Sequence, residues 1–192
     1  PLAGLTMATR SGDLDPAAVI YLQRTLHVSP GELEHILNYR SGIFGIFGYS
    51  ADLRDALLAA GYRVPGYQAP RPFSTEDRRR AMLAIAVFIH DIVRYLGSLA
   101  AVMGGVNAVV FSGAIGVRSA TVRRLVLRRL KHWRGVKTLV VPTDEELMIA
   151  RLVQQLVLRH RHRVEEGSAR ATPSVSGSGT PAPASPAAPP PP

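Results

Sequence analysis

The chain has 192 residues, with 23 Lys and Arg against 14 Asp and Glu, and no cysteine. That length suits one domain with an appendage, and the missing thiols exclude a disulfide framework, a thiolate metal site and a cysteine nucleophile, so a cytoplasmic location is expected. With 46% apolar and 19% charged residues an ordinary core can be buried, which excludes wholesale disorder.

The first residue is Pro1, and no charged segment followed by an apolar run opens the chain. A secretory signal is therefore not expected, and the sequence reads as starting inside a longer polypeptide. Asp15 followed by Pro16 predicts a helix start leading into Ala17 to Leu26. Ser29, Pro30 and Glu32 form a capping box for a second helix reaching about Tyr39. Between Asn38 and Tyr49, Ile43, Phe44, Ile46 and Phe47 alternate with Gly42, Gly45 and Gly48, which predicts a backbone-permissive loop packed against something. A short helix from Asp52 to Ala60 ends at Gly61, and Pro65 to Pro72 is a connector.

Ser74 opens the longest helical pattern, with Asp77 at its third position. Its predicted apolar stripe is Met82, Ile85, Ala86, Ile89, Val93, Leu96, Ala100 and Met103. Ala108 to Phe111 predicts a strand, Ser112 to Gly116 a small-residue turn, and Ser119 to Leu130 a helix. Thr138 to Val141 predicts a second strand, and Thr143 caps a helix to about Arg163. Strands separated by helices imply an α/β class with buried parallel strands. Residues Tyr95 to Val117 carry no formal charge, yet their glycines and Asn107 favour a helix end, a strand and a loop over a membrane span. From Ser168 to Pro192 the composition collapses to Pro, Ala, Ser, Gly and Thr, which predicts a disordered tail after a folded body of residues 1–167.

Charge is concentrated. Residues 118–163 hold twelve Lys and Arg against three Asp and Glu, which accounts for the whole net charge of +9. Such a patch attracts polyanions, but Trp133 is the only aromatic residue there, so nucleic-acid recognition is disfavoured against a solvated or phosphate-attracting face. The six histidines have no metal-like spacing.

Two strand-to-helix turns can hold a phosphate. One is Val109 to Gly116, whose small residues let a ligand approach backbone N–H groups; glycine used only to turn is the plain alternative. The other is Val140 to Glu146. There the spacing of Thr143 and Glu146 explains Glu146 as a cap, leaving Glu145 as a candidate Mg²⁺ ligand or simply a first-turn acid. Arg10, in the polar turn Thr9 to Asp13, suits an anionic oxygen. Asp52 and Asp55 suit the first turn of a helix, whereas Arg54 there is unfavourable and needs a reason.

Four segments in this order resemble blocks of the acetate kinase family: Met7 to Pro16, Asn38 to Arg54, Val110 to Arg123, and Pro142 to Ala150. The resemblance covers Met7 to about Arg151 and corresponds to the C-terminal part of that family. The family's N-terminal domain, with its acetate pocket and catalytic carboxylate, has no counterpart. The implied fold is the second domain of the acetate and sugar kinase/Hsc70/actin superfamily, which is ribonuclease H-like. The implied reaction is reversible transfer of the γ-phosphoryl of ATP to acetate, giving acetyl phosphate and ADP, with Mg²⁺ as cofactor and a homodimer as the assembly. By this resemblance Arg10 stabilises the transferring phosphoryl, Asp52, Leu53 and Arg54 contact the nucleotide, Ala114, Ile115, Gly116, Val117 and Arg118 form the nucleotide loop, and Glu145 binds Mg²⁺. That loop departs from the family's usual Gly-Ile-Gly-Glu-Asn, replacing a glycine by a methyl-bearing residue and two polar groups by Val117 and the cation of Arg118. The chain is expected to supply the nucleotide and Mg²⁺ side and to be inactive alone. The alternatives are a propionate or other short-chain acyl kinase, and a non-catalytic remnant that binds nucleic acid or an acidic partner through residues 118–163.

Overall fold

In the computed structural model, which describes residues 2–170, the chain divides into a unit Pro1–Thr143 and a unit Asp144–Pro192. The tail expected from residue 168 falls outside the described residues beyond position 170.

The first unit begins with two helices set by their caps. Helix α1, Pro16–Leu26, starts where the Asp15 carboxylate accepts from the Ala17 N–H at 2.8 Å. Helix α2, Pro30–Tyr39, starts at the expected capping box, in which Ser29 N–H donates to the Glu32 carboxylate at 2.8 Å and Glu32 N–H donates to Ser29 Oγ at 3.3 Å. The glycine-spaced segment is not a loop but a short helix, α3, Gly42–Phe47. Its start lacks a side-chain cap. Instead the N–H groups of Ser41, Ile43 and Phe44 donate to the carbonyls of Thr9, Met7 and Ala8. These acceptors are distant in sequence, so no local signal announced the helix. Ile43 and Phe47, four residues apart, then face the core together.

Helix α4, Leu53–Ala59, is capped by Asp52, and helix α5, Thr75–Val102, by the Ser74 and Asp77 box. The buried stripe of α5 is Ala81, Ala84, Ile85, Phe88 and Ile89. Three residues of the expected stripe point elsewhere: Ala86 is exposed, Met82 is 56% exposed, and Met103, at the C-cap, is 65% exposed. Alanines occupy the core face because α3, α4 and α7 all pack on α5, and small side chains let helices approach closely. This helix is also long and apolar enough to cross a bilayer, but its buried stripe is part of the core cluster.

Strand β1, Ala108–Phe111, leads into helix α6, Gly113–Arg118, where a turn was expected; Gly113 makes the entry at φ +69°. Helix α7, Ala120–Arg129, follows with Ser119 as cap, and β2, Lys137–Val140, lies parallel to β1 with Val110 opposite Leu139. The α/β class holds, with helices dominant. Only one face of the pair is covered: Val109 and Phe111 are buried, whereas β2 is exposed throughout, so the expectation of fully buried strands is corrected.

The second unit is described by itself. Helix α8 spans Glu145–Arg170, beyond the expected end near Arg163. Its cap is Asp144, whose carboxylate accepts from the Leu147 N–H at 2.9 Å, rather than the expected Thr143.

The core makes a contrast testable by urea unfolding. Phe47, 1% exposed, replaced by Ala is expected to cost about 3–5 kcal/mol, whereas Met82→Ala is expected to stay within about 0.5 kcal/mol. Equal losses would mean that the stripe of α5 is assigned to the wrong face.

Candidate nucleotide site

The site is built on the first turn of α4. Asp52 caps that helix through the Arg54 N–H at 2.8 Å, and the same carboxylate takes Arg54 Nε at 3.0 Å and Nη2 at 2.6 Å. This is why a cation is tolerated at a helix start: the guanidinium folds back onto the capping carboxylate and does not face the positive helix end alone. The hydrogen bonds from Arg54 hold the Asp52 carboxyl below the usual carboxylate range. Both side chains are at least one-third exposed, so the pair adds at most about 1 kcal/mol of stability; its value is orientation. Asp55, one turn on and only 2% exposed, accepts from Ser50 Oγ at 2.7 Å and from the Tyr67 hydroxyl at 3.0 Å.

Sixty residues later, the β1–α6 segment supplies a second wall. Gly116 lies against the end of β1, where a Cβ would come within 3.3 Å of the Phe111 carbonyl carbon. Arg123 Nη1 donates to the carbonyls of Gly116 at 2.8 Å and Val117 at 2.7 Å, fixing the last turn of α6 to α7. Between the two walls is a cavity of about 720 Å³ whose lining includes Asp52, Leu53, Arg54, Ala114, Ile115 and Arg118. Six of the eight expected nucleotide residues therefore meet at one cavity. Gly116 and Val117 are not in its lining; their backbone is engaged by Phe111 and Arg123.

The remaining wall carries no motif. Arg63, Val64, Pro65, Gly66 and Tyr67 of the connector, and Arg124 of α7, also line the cavity. The only available signal was an aromatic residue set directly after Pro65-Gly66. Asp52 is the sole acid of the lining and is paired with Arg54, while Arg63, Arg118 and Arg124 make no ion pair among the described residues. Three uncompensated cations around an open cleft suit a phosphate-bearing ligand. A second, shallower groove of about 420 Å³ runs along α7 between Arg123, Arg124, Arg128 and Lys131. Trp133 is packed against the core and so offers no free stacking platform.

Arg10 is exposed and not part of the cavity lining. Its loop is held firmly. The Arg10 carbonyl accepts from Met7 N–H at 3.1 Å, and Gly42, at φ +62°, sits where any Cβ would strike the carbonyls of Met7 and Arg10. Asp13 anchors the same loop to α5, accepting from Gly4 N–H at 2.7 Å, Arg94 Nη2 at 2.8 Å and the Tyr95 hydroxyl at 2.6 Å. Glu145 belongs to the second unit, at the first position of α8, and is exposed. No cluster of three metal-ligating side chains occurs among the described residues. A single carboxylate still fits Mg²⁺, which is commonly held by one or two carboxylates together with substrate phosphates and water.

A capped acid–arginine pair, a strand-to-helix segment and unpaired arginines thus meet around one cavity of an α/β unit. Comparison with known proteins gives the family: the acetokinase family model matches residues 1–138, and the chain belongs to that family. It is 37% identical over 179 residues to acetate kinase of Clostridium novyi, covering 82% of this chain and 41% of that protein. Among solved structures, Porphyromonas gingivalis acetate kinase superposes with a TM-score of 0.67 at 29% identity, covering 82% of this chain and 42% of its own. A propionate kinase from Francisella tularensis superposes with a TM-score of 0.65 at 30% identity over 78% and 40% of the two chains. The chain thus spans about two fifths of the length of the relatives it matches. The matched range of the family model ends before the segment that carries Glu145.

The Asp13 anchor gives a pH test. Hydrogen bonds from Tyr95 first, then from Arg94 and Gly4, lower its pKa from 3.8 to about 2. Because the folded value is depressed, its stabilisation is present above about pH 4 and is lost as the pH falls toward 2. Asp13→Asn is therefore expected to flatten the acid limb of stability measured by denaturant unfolding between pH 5 and pH 2; an unchanged limb would contradict the anchor.

Proposed function

We propose that this chain forms the nucleotide and Mg²⁺ side of an acetate kinase-type phosphotransferase, which moves the γ-phosphoryl of ATP reversibly to acetate, giving acetyl phosphate and ADP. The observation that carries the proposal is the single cavity lined by Asp52, Leu53 and Arg54 from α4 and by Ala114, Ile115 and Arg118 from α6. In this reading the Asp52–Arg54 pair takes the nucleoside, and Arg63, Arg118 and Arg124 draw in the phosphates. Arg10 meets the charge that develops on the transferring phosphoryl as the acetate oxygen bonds to phosphorus and ADP departs. Glu145 would hold Mg²⁺, which would neutralise phosphate charge when bound. The fold assigned with it is the second domain of the acetate and sugar kinase/Hsc70/actin superfamily.

In-line transfer requires donor, acceptor and metal to be positioned together, and this chain spans about two fifths of the length of its relatives. ADP is expected to raise the thermal midpoint of the 192-residue chain in a concentration-dependent way, by about 2.7 kcal/mol of added stability at a hundredfold excess over Kd, and Arg54→Ala is expected to remove that shift. No ADP-dependent shift in the unsubstituted chain would contradict the proposal. With ATP, Mg²⁺ and acetate, acetyl phosphate formation is expected to stay more than tenfold below ordinary kinase turnover of about 1–100 s⁻¹. The likeness to a propionate kinase keeps propionate or another short-chain acyl group as the alternative acceptor. The arginine-lined groove on α7 favours a second reading, binding of a polyanion such as DNA. That reading requires DNA binding that weakens steeply as salt rises.

A further inference from the structure

Tyr67 sits in the connector between α4 and α5, inside the range the family model matches but outside the four motif segments, and it touches Arg54 of the Asp52–Arg54 pair directly. The Arg54 guanidinium carbon lies 4.1 Å from the centre of the Tyr67 ring. At the other end of the same side chain, the hydroxyl donates to Asp55 Oδ1 at 3.0 Å. Asp55 is buried, belongs to the first turn of α4, and is itself held by Ser50 Oγ at 2.7 Å. Burial, and then the hydrogen bond to Asp55, raise the Tyr67 pKa, so the phenol keeps its proton at neutral pH and remains the donor. The connector is thereby pinned to the helix that carries Asp52 and Arg54.

The guanidinium of Arg54 is consequently constrained on two sides. Its Nε and Nη2 edge is taken by Asp52, and one of its planar faces is covered by Tyr67. What the residue can still offer the cavity is the other planar face and the N–H groups of Nη1, which the pairing with Asp52 does not use. A flat cation in a fixed orientation is a stacking surface for a nucleobase, because every base presents a π-face to it. The phosphate-attracting arginines Arg63, Arg118 and Arg124 are separate residues of the lining. The site therefore has one part suited to the base and another suited to the phosphates.

We propose that Tyr67 is a positioning residue for nucleoside binding: it holds the Arg54 guanidinium as a stacking platform for the base of a nucleoside diphosphate or triphosphate, and it makes no contribution to binding the phosphate chain. This rests on the nucleotide reading of the cavity and adds the residue that fixes its base side.

The test compares ADP with inorganic tripolyphosphate, which carries the charge but no base, by calorimetric titration of the full chain. Tyr67→Ala is expected to weaken ADP about tenfold while tripolyphosphate affinity stays within about twofold. Tyr67→Leu preserves bulk in the connector and is expected to show the same split, which keeps the test decisive if the Ala variant fails to fold. Tyr67→Phe retains the ring and loses the Asp55 contact, so its ADP affinity is expected to fall between those of wild type and Tyr67→Leu. Equal losses for both ligands would mean a merely structural role and would overturn the inference, as would ADP binding unchanged in Tyr67→Leu. Absence of ADP binding in the unsubstituted chain would instead remove the nucleotide reading itself, and this inference with it.

Discussion

The close packing of α4 and α7 on the long helix α5 is the constraint from which the rest follows. The buried surface of α5 combines Ile85, Phe88 and Ile89 with the small side chains of Ala81 and Ala84, and that of α4 combines Leu57 with the small side chains of Ala56 and Ala59. On the side of α7 it meets Val122 and Val126. Side chains of this size give up hydrophobic burial per residue but let helix axes come near one another. The first turn of α4 and the segment before α7, far apart in sequence, are thereby carried to the same cavity. A larger residue in that seam would force the helices apart, since a filled interior absorbs added volume only through strain. The geometry of the cavity is thus set largely by apolar core residues outside its lining.

Electrostatics then divides the cavity. The one carboxylate in its lining is spent on Arg54, and because that pair is partly exposed its contribution is to direction and not to stability. The other arginines of the lining are left with charge to offer an anion. Across 95–143 the sequence contains no acid at all, so nothing on β1, α6, α7 or β2 competes for those cations. Net positive potential over that stretch is a property of composition, and its focus at a cavity is a property of the fold.

Local chemistry was legible wherever a residue acts on its own neighbours. The caps at Asp15, Ser29, Asp52 and Ser74 mark helix starts correctly because each satisfies backbone N–H groups within three residues. The loop expected around Gly42 to Gly48 became α3 because its N–H acceptors come from residues 7–9, a tertiary contact with no local trace. The expected stripe of α5 shares Ile85 and Ile89 with the buried one but includes the exposed Met82 and Ala86 and omits Ala81, Ala84 and Phe88, because apolar spacing alone does not say which neighbouring face the other helices cover. At the cavity, Asp52, Leu53, Arg54, Ala114, Ile115 and Arg118 were legible through the family resemblance. Arg63, Tyr67 and Arg124 were not, because a connector and the outer face of a helix carry no periodic or motif signal. The reason for Arg54, its fold-back onto Asp52, also appeared only in three dimensions.

If two segments sixty residues apart wall one nucleotide cavity, ADP must protect both from amide hydrogen exchange in the full chain. Slowed exchange is expected in both 52–57 and 113–119, rising together over the same range of ADP concentration, with α1 unaffected. Protection confined to one of the two segments, or rising at different concentrations in each, would contradict it.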